Sequence, residues 1–151
     1  MKTIEMTETR PIHILLVEDS PGDVNLTLTA MTGAKVANTV GVVGDGEEAM
    51  AYLRQEAPFE DVQRPDLVLL DLNLPRMDGA EVLAEMKEDH DLETIPVIVL
   101  TTSAEEVDVI RAYRHHAASY VTKPVDFSEF TAAVRSIEAF WLSTVRFPTR
   151  S

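Results

Sequence analysis

Three carboxylates, a hydroxyl and an ammonium stand at the ends of short apolar runs in this chain. Glu18 and Asp19 follow Ile12–Val17, Asp71 follows Asp66–Leu70, Thr101 follows Ile95–Leu100, and Lys123 comes just after Ala118–Val121. Clustered carboxylates repel one another and resist ionisation unless cations are near. A hard divalent cation such as Mg2+, held by oxygen ligands and water, relieves that repulsion. Lys123 adds a second positive charge able to pair with an anion brought to Asp71. A cation, a lysine and a hydroxyl around one carboxylate make a receptor for a phosphoryl group. Asp71 itself can act as the nucleophile and form an aspartyl phosphate.

Each residue alone has a plainer structural reading. Asp19 can polarise or cap the turn before a helix. Asp71, after four apolar residues, is costly unless paired or coordinated, and a salt bridge to Lys123 would satisfy it. Thr101 is an ordinary strand residue, and Lys123 before Pro124 can be a solvated loop residue. The four placements together favour a site.

These residues need a scaffold that brings strand ends to one edge. After a frayed arm over residues 1–10, β-branched apolar runs alternate with helical patterns. Ile12–Val17 reads as a strand. Ser20-Pro21-Gly22-Asp23 reads as a helix start with an N-cap serine and a first-turn proline. Val24, Leu28 and Met31 continue that helix to Gly33. A weaker strand spans Val36–Val43, a turn falls at Gly44-Asp45-Gly46, and a short helix runs through Ala49, Met50 and Leu53. Ala57–Pro65 is a loop. Asp66–Leu70 is nearly all apolar, as suits a strand covered on both faces of a parallel sheet. A helix with Val82, Leu83 and Met86 follows, then a strand at Ile95–Leu100, a helix at Ala104–Tyr113 and a strand at Ala118–Val121. Asp126 with Glu129 caps a long last helix reaching about Thr144. Five β-α units imply an α/β fold with right-handed crossovers and a doubly wound parallel sheet. In such sheets ligands bind beyond the carboxyl ends of the strands.

The 151 residues suit one domain over 11–151, large enough to build a core without staples. There are 13 Lys+Arg against 26 Asp+Glu, a formal net charge of -13. That balance argues against binding nucleic acid or an anionic membrane surface. The absence of cysteine excludes disulfides, thiolate metal sites and a cysteine nucleophile, and fits a reducing cytoplasm. No secretory signal or membrane span is visible. His13, His90, His115 and His116 have no convincing metal spacing.

The chain resembles the receiver domains of bacterial two-component response regulators. The resemblance is carried by Leu15-Leu16-Val17-Glu18-Asp19-Ser20, Leu69 to Gly79 (LLDLNLPRMDG), Pro96-Val97-Ile98-Val99-Leu100-Thr101 and Tyr120-Val121-Thr122-Lys123-Pro124, and it covers about residues 12 to 140. It implies the flavodoxin-like (βα)5 fold with strand order 2-1-3-4-5. It implies that Asp71 accepts a phosphoryl group from a histidine of a sensor kinase. Asp19, Asp71 and the backbone carbonyl of Asn73 would ligate Mg2+ directly. Glu18, where the family often has aspartate, would act through a coordinated water. Lys123 would pair with Asp71 and then with the phosphoryl group. Thr101 would turn its hydroxyl to the phosphoryl oxygen while Tyr120 swings inward, which shifts a pre-existing equilibrium at the face made by the fourth helix, fifth strand and fifth helix. For Tyr120 the plainer reading is a static amphipathic aromatic at the sheet edge. The resemblance also implies a cis Lys123-Pro124 bond. Val125 stands where many relatives carry phenylalanine.

The last helix carries an apolar stripe of Phe127, Phe130, Val134, Ile137, Trp141 and Val145, most of it core in character. Phe140, Leu142 and Phe147 add apolar surface beyond that stripe, which often marks an interface. The ending Glu138-Ala139-Phe140-Trp141-Leu142 and the start Asp19-Ser20-Pro21-Gly22-Asp23 are similar to stand-alone regulators paired with phytochrome-type histidine kinases. That narrower resemblance implies a homodimer through Phe140, Trp141 and Leu142. Nothing after residue 151 is available for a DNA-binding output, so the expected product is a regulator acting by protein contact and not an enzyme. Three rivals remain. An aspartyl-phosphate hydrolase would carry a second aspartate where Asn73 stands. A flavin-binding relative would have a Ser/Thr phosphate loop after the first strand. A pseudo-receiver scaffold would lack an acceptor-site group.

Overall fold

A computed structural model of the chain describes residues 11–33, 38–72, 74–101, 119–123, 126 and 128–133. Its elements are β1 (Ile12–Val17), α1 (Pro21–Gly33), β2 (Asn38–Val43), α2 (Gly46–Arg54), β3 (Leu67–Asp71), α3 (Gly79–Lys87), β4 (Val97–Thr101) and β5 (Ser119–Thr122). Residues 128–133 are helical, at the start of the span where the terminal helix is expected. The strands form one parallel sheet in the order β2-β1-β3-β4-β5, the order expected for the flavodoxin-like α/β fold. The arm at 1–10, the helix expected over Ala104–Tyr113 and the end of the terminal helix lie outside the described residues.

Alternation along the strands accounts for the two layers of core, because successive side chains on a strand point to opposite faces. Leu15, Val17, Val68, Leu70, Val97 and Val99 pack with Met50, Leu53, Val82, Leu83 and Met86 of α2 and α3. Ile14, Leu16, Leu67, Leu69, Ile98 and Leu100 face the other way, with Met31 of α1 and Phe130 of the terminal helix. Every residue of β3 is buried, as its near-continuous apolar run requires of a central parallel strand. Phe130 is a core residue, in line with the stripe it belongs to.

Caps set the helix starts. The Asp23 N–H donates to Ser20 Oγ at 3.3 Å, so Ser20 caps α1 as expected. Asp78 and Glu81 form a reciprocal capping box at α3. The Glu129 N–H donates to Asp126 Oδ1 at 2.8 Å, the expected pair at the terminal helix. Element edges shift slightly from the sequence reading. Asp66 lies just before β3, its N–H donating to the His13 carbonyl at 2.7 Å and its Oδ2 accepting from the His13 N–H at 2.8 Å. Asp71 and Thr101 are the last residues of β3 and β4 rather than the first residues after them.

Candidate functional site

The sheet order places the ends of β1, β3, β4 and β5 side by side, and the charged residues gather there. Leu100 of β4 is in register with Asp71, and Thr122 of β5 with Thr101. Glu18 follows β1, where its N–H donates to Val43 O of β2 at 3.0 Å. Carboxylate oxygens of Glu18, Asp19 and Asp71 lie within 4.8 Å of one another. Glu18 and Asp71 are buried, at 2% and 4% exposure, whereas Asp19 is exposed. Two buried carboxylates and one open to solvent leave a side from which a ligand can enter.

Lys123 joins the site from the loop after β5. Its Nζ donates to Asp23 Oδ2 at 3.0 Å and to Glu18 Oε1 at 3.1 Å, and lies 3.5 Å from Asp71 Oδ2. Burial lowers the pKa of this ammonium. The hydrogen bonds to Asp23 and Glu18 and the charge of Asp71 outweigh burial, so the pKa is raised and the group stays charged. The opposite holds at Glu18. Burial, then the charge of Asp71, pushes its carboxyl up to about 7, with Lys123 pulling the other way. One ammonium therefore does not neutralise the cluster. An all-oxygen donor set still short of positive charge fits a hard divalent cation, with Glu18, Asp19 and Asp71 as the residues to hold it.

Of the remaining expected residues, Thr101 closes β4 and Tyr120 lies in β5, two register steps before the edge. Asn73, Pro124 with its expected cis bond, Val125 and the Phe140-Trp141-Leu142 segment lie outside the described residues. Two features escaped the sequence reading. Asp23, read only as part of the Ser20-Pro21-Gly22-Asp23 helix start, is a Lys123 partner; its place one turn into a helix that starts at this edge was the available signal. A buried carboxylate, Asp45, also stands two residues after β2, in the segment read from the sequence only as the turn Gly44-Asp45-Gly46. Asp45 caps α2 by accepting from the Glu48 N–H at 2.8 Å, and its other oxygen accepts from Arg76 Nη2 at 2.7 Å. Burial alone would raise the Asp45 carboxyl, but the Glu48 N–H and the Arg76 guanidinium hold it below the ordinary aspartate value.

A family model described as "Response regulator receiver domain" matches residues 14–135. The chain belongs to the response regulator receiver domain family. Over 138 residues it is 46% identical to response regulator Rcp1 of Synechocystis sp., covering 91% of this chain and 94% of that one. The crystal structure of a phosphorylated cyanobacterial phytochrome response regulator, RcpA, is similar with a TM-score of 0.73 and 49% identity, over 89% of this chain and 96% of that one. An Mn2+-bound form of Rcp1 is similar with a TM-score of 0.70 and 47% identity, over 89% of this chain and 97% of that one. The receiver-domain fold is thus found here, as the resemblance implies, with Glu18, Asp19, Asp71 and Lys123 gathered at the carboxyl edge of its sheet. Among the described residues, no helix is long and apolar enough to cross a membrane.

Proposed function

We propose that this receiver domain takes a phosphoryl group from a histidine of a sensor kinase onto Asp71 and signals by changed protein contacts. The observation that carries this reading is the Lys123 ammonium set among buried Glu18, buried Asp71 and Asp23 at the carboxyl edge of the sheet. An oxygen of Asp71 attacks the phosphorus, the P–N bond to the donor histidine breaks, and its electron pair leaves with the imidazole. Glu18, Asp19, Asp71 and the Asn73 carbonyl are the residues that would hold Mg2+, which when bound supplies positive charge to the transferring phosphoryl oxygens. Lys123 pairs with the added phosphoryl charge. Thr101 and Tyr120 are the switch pair that relays it.

The similarity to the phytochrome response regulator RcpA supports a phytochrome-type kinase as the donor, and the apolar excess of Phe140, Trp141 and Leu142 supports a homodimer through them. We read residues 11–151 as one receiver domain with an extended terminal helix, acting in the cytoplasm. It turns over no small substrate, and its charge of -13 keeps it from nucleic acid and anionic membranes. The test is to incubate the protein with Mg2+ and a small acyl phosphate and weigh it intact. A single acid-labile phosphoryl adduct, absent in Asp71→Asn, is expected. Fast turnover of many phosphomonoesters without an adduct would mark a hydrolase instead, and no modification a scaffold.

A further inference from the structure

We propose that Asp23 is a positioning residue of this site, a carboxylate that restrains the Lys123 ammonium from Asp71 and releases it when a phosphoryl group arrives. The proposal rests on reading Asp71 as the acceptor. An ammonium has three hydrogens to donate, and Lys123 has three carboxylates around it. Asp23 at 3.0 Å and Glu18 at 3.1 Å hold it more closely than Asp71 at 3.5 Å. A phosphoryl oxygen can recruit Lys123 only by drawing it from one of these partners.

The three partners differ in what release would cost them. Glu18 and Asp71 side chains are 1% and 5% exposed, and a buried carboxylate stripped of its cation is expensive. The Asp23 side chain is 36% exposed, so water can replace the lysine there. Asp23 also sits in the first turn of α1, where the helix N-terminus stabilises a negative charge without any lysine. Asp23 is therefore the partner that yields. Its charge also competes with the phosphoryl group for the same ammonium, so it slows acceptance for as long as it holds.

The test compares initial rates of adduct formation with Mg2+ and a small acyl phosphate in wild type, Asp23→Asn, Asp23→Glu, Lys123→Ala and the double variant Asp23→Asn/Lys123→Ala. Asp23→Asn, nearly the same shape without the charge, is expected to accelerate labelling about three- to tenfold. Asp23→Glu, which keeps the charge, is expected to stay near wild type. In the Lys123→Ala background the Asp23→Asn change is expected to do nothing. An acceleration that persists without Lys123 would reflect a general loss of negative charge and overturn the proposal, as would an unchanged rate in Asp23→Asn. A wild type that takes no label at all would sink the acceptor reading itself.

Discussion

At Asp45 and Arg76 two residues outside the acidic cluster brace the loops beside it. Arg76 adopts φ 63, a left-handed conformation uncommon for a residue with a side chain. From there its guanidinium reaches Asp45 across 31 residues of sequence, at 3.1 Å from Nε and 2.7 Å from Nη2. The pair links the loop after β3 to the start of α2, and so steadies the segment that follows Asp71. Because the folded-state pKa of Asp45 is lowered, its contribution is fully present above the ordinary aspartate range and is lost as pH falls through the folded value. Asp45→Asn keeps a capping oxygen but loses the charge. Urea unfolding should therefore separate it from wild type at pH 7, with the gap shrinking as pH falls below the ordinary aspartate range of about 4. A gap of equal size at pH 7 and pH 3 would disprove the ionic role. Asp45→Ala also removes the cap and is expected to cost about 1 kcal/mol more.

Between elements, the approach of α3 to β3 controls where Asp71 sits. A Cβ on Gly79 would fall 2.5 Å from the Asp71 carbonyl oxygen and 2.7 Å from Leu72 Cα, both backbone atoms that cannot rotate away. The Gly79 N–H also donates to the Leu72 carbonyl at 3.1 Å. Helix and strand end are thus in backbone contact at the acceptor, which only a glycine permits. Gly79→Ala should lose about 1–3 kcal/mol of stability from overpacking, with slower labelling of Asp71. Gly22 in α1 serves as the control, since nothing lies within 4 Å of its added Cβ. Gly22→Ala is expected to be neutral or slightly stabilising in a denaturant series, as alanine in a helix usually is. Equal losses in the two variants would show that the backbone contact at Gly79 has no special cost.

For the molecule as a whole, the charge of -13 and the apolar end of the chain pull in opposite directions. Like charge keeps copies of the chain apart, so a dimer needs a localised apolar contact, and Phe140, Trp141 and Leu142 are the residues proposed for it. Trp141→Ala should shift the light-scattering mass from dimer toward monomer, because a buried tryptophan is the kind of anchor on which interfaces depend most. A wild type that scatters as a monomer both with and without phosphorylation would remove the basis of the homodimer. The order of elements, the doubly wound sheet and the acidic edge were all legible before any coordinates. Ile12–Val17 and Asp66–Leu70 announce buried strands, and their ends can hold only what the next residues supply.

The sequence by itself determined the element order, the parallel sheet and the residue types at each strand end, because periodicity and turn chemistry are local and written within a few residues. Only the tertiary structure decided which carboxylates hold Lys123 most closely. Lys123 finds Glu18 across 105 residues and Asp23 across 100, and no local pattern encodes a distance between segments so far apart. The same holds for Asp45, which reads as a turn residue until Arg76 folds onto it. Burial is likewise a property of the assembled layers. Only the packed fold shows that Glu18 is buried against Asp71, which pushes its carboxyl up to about 7.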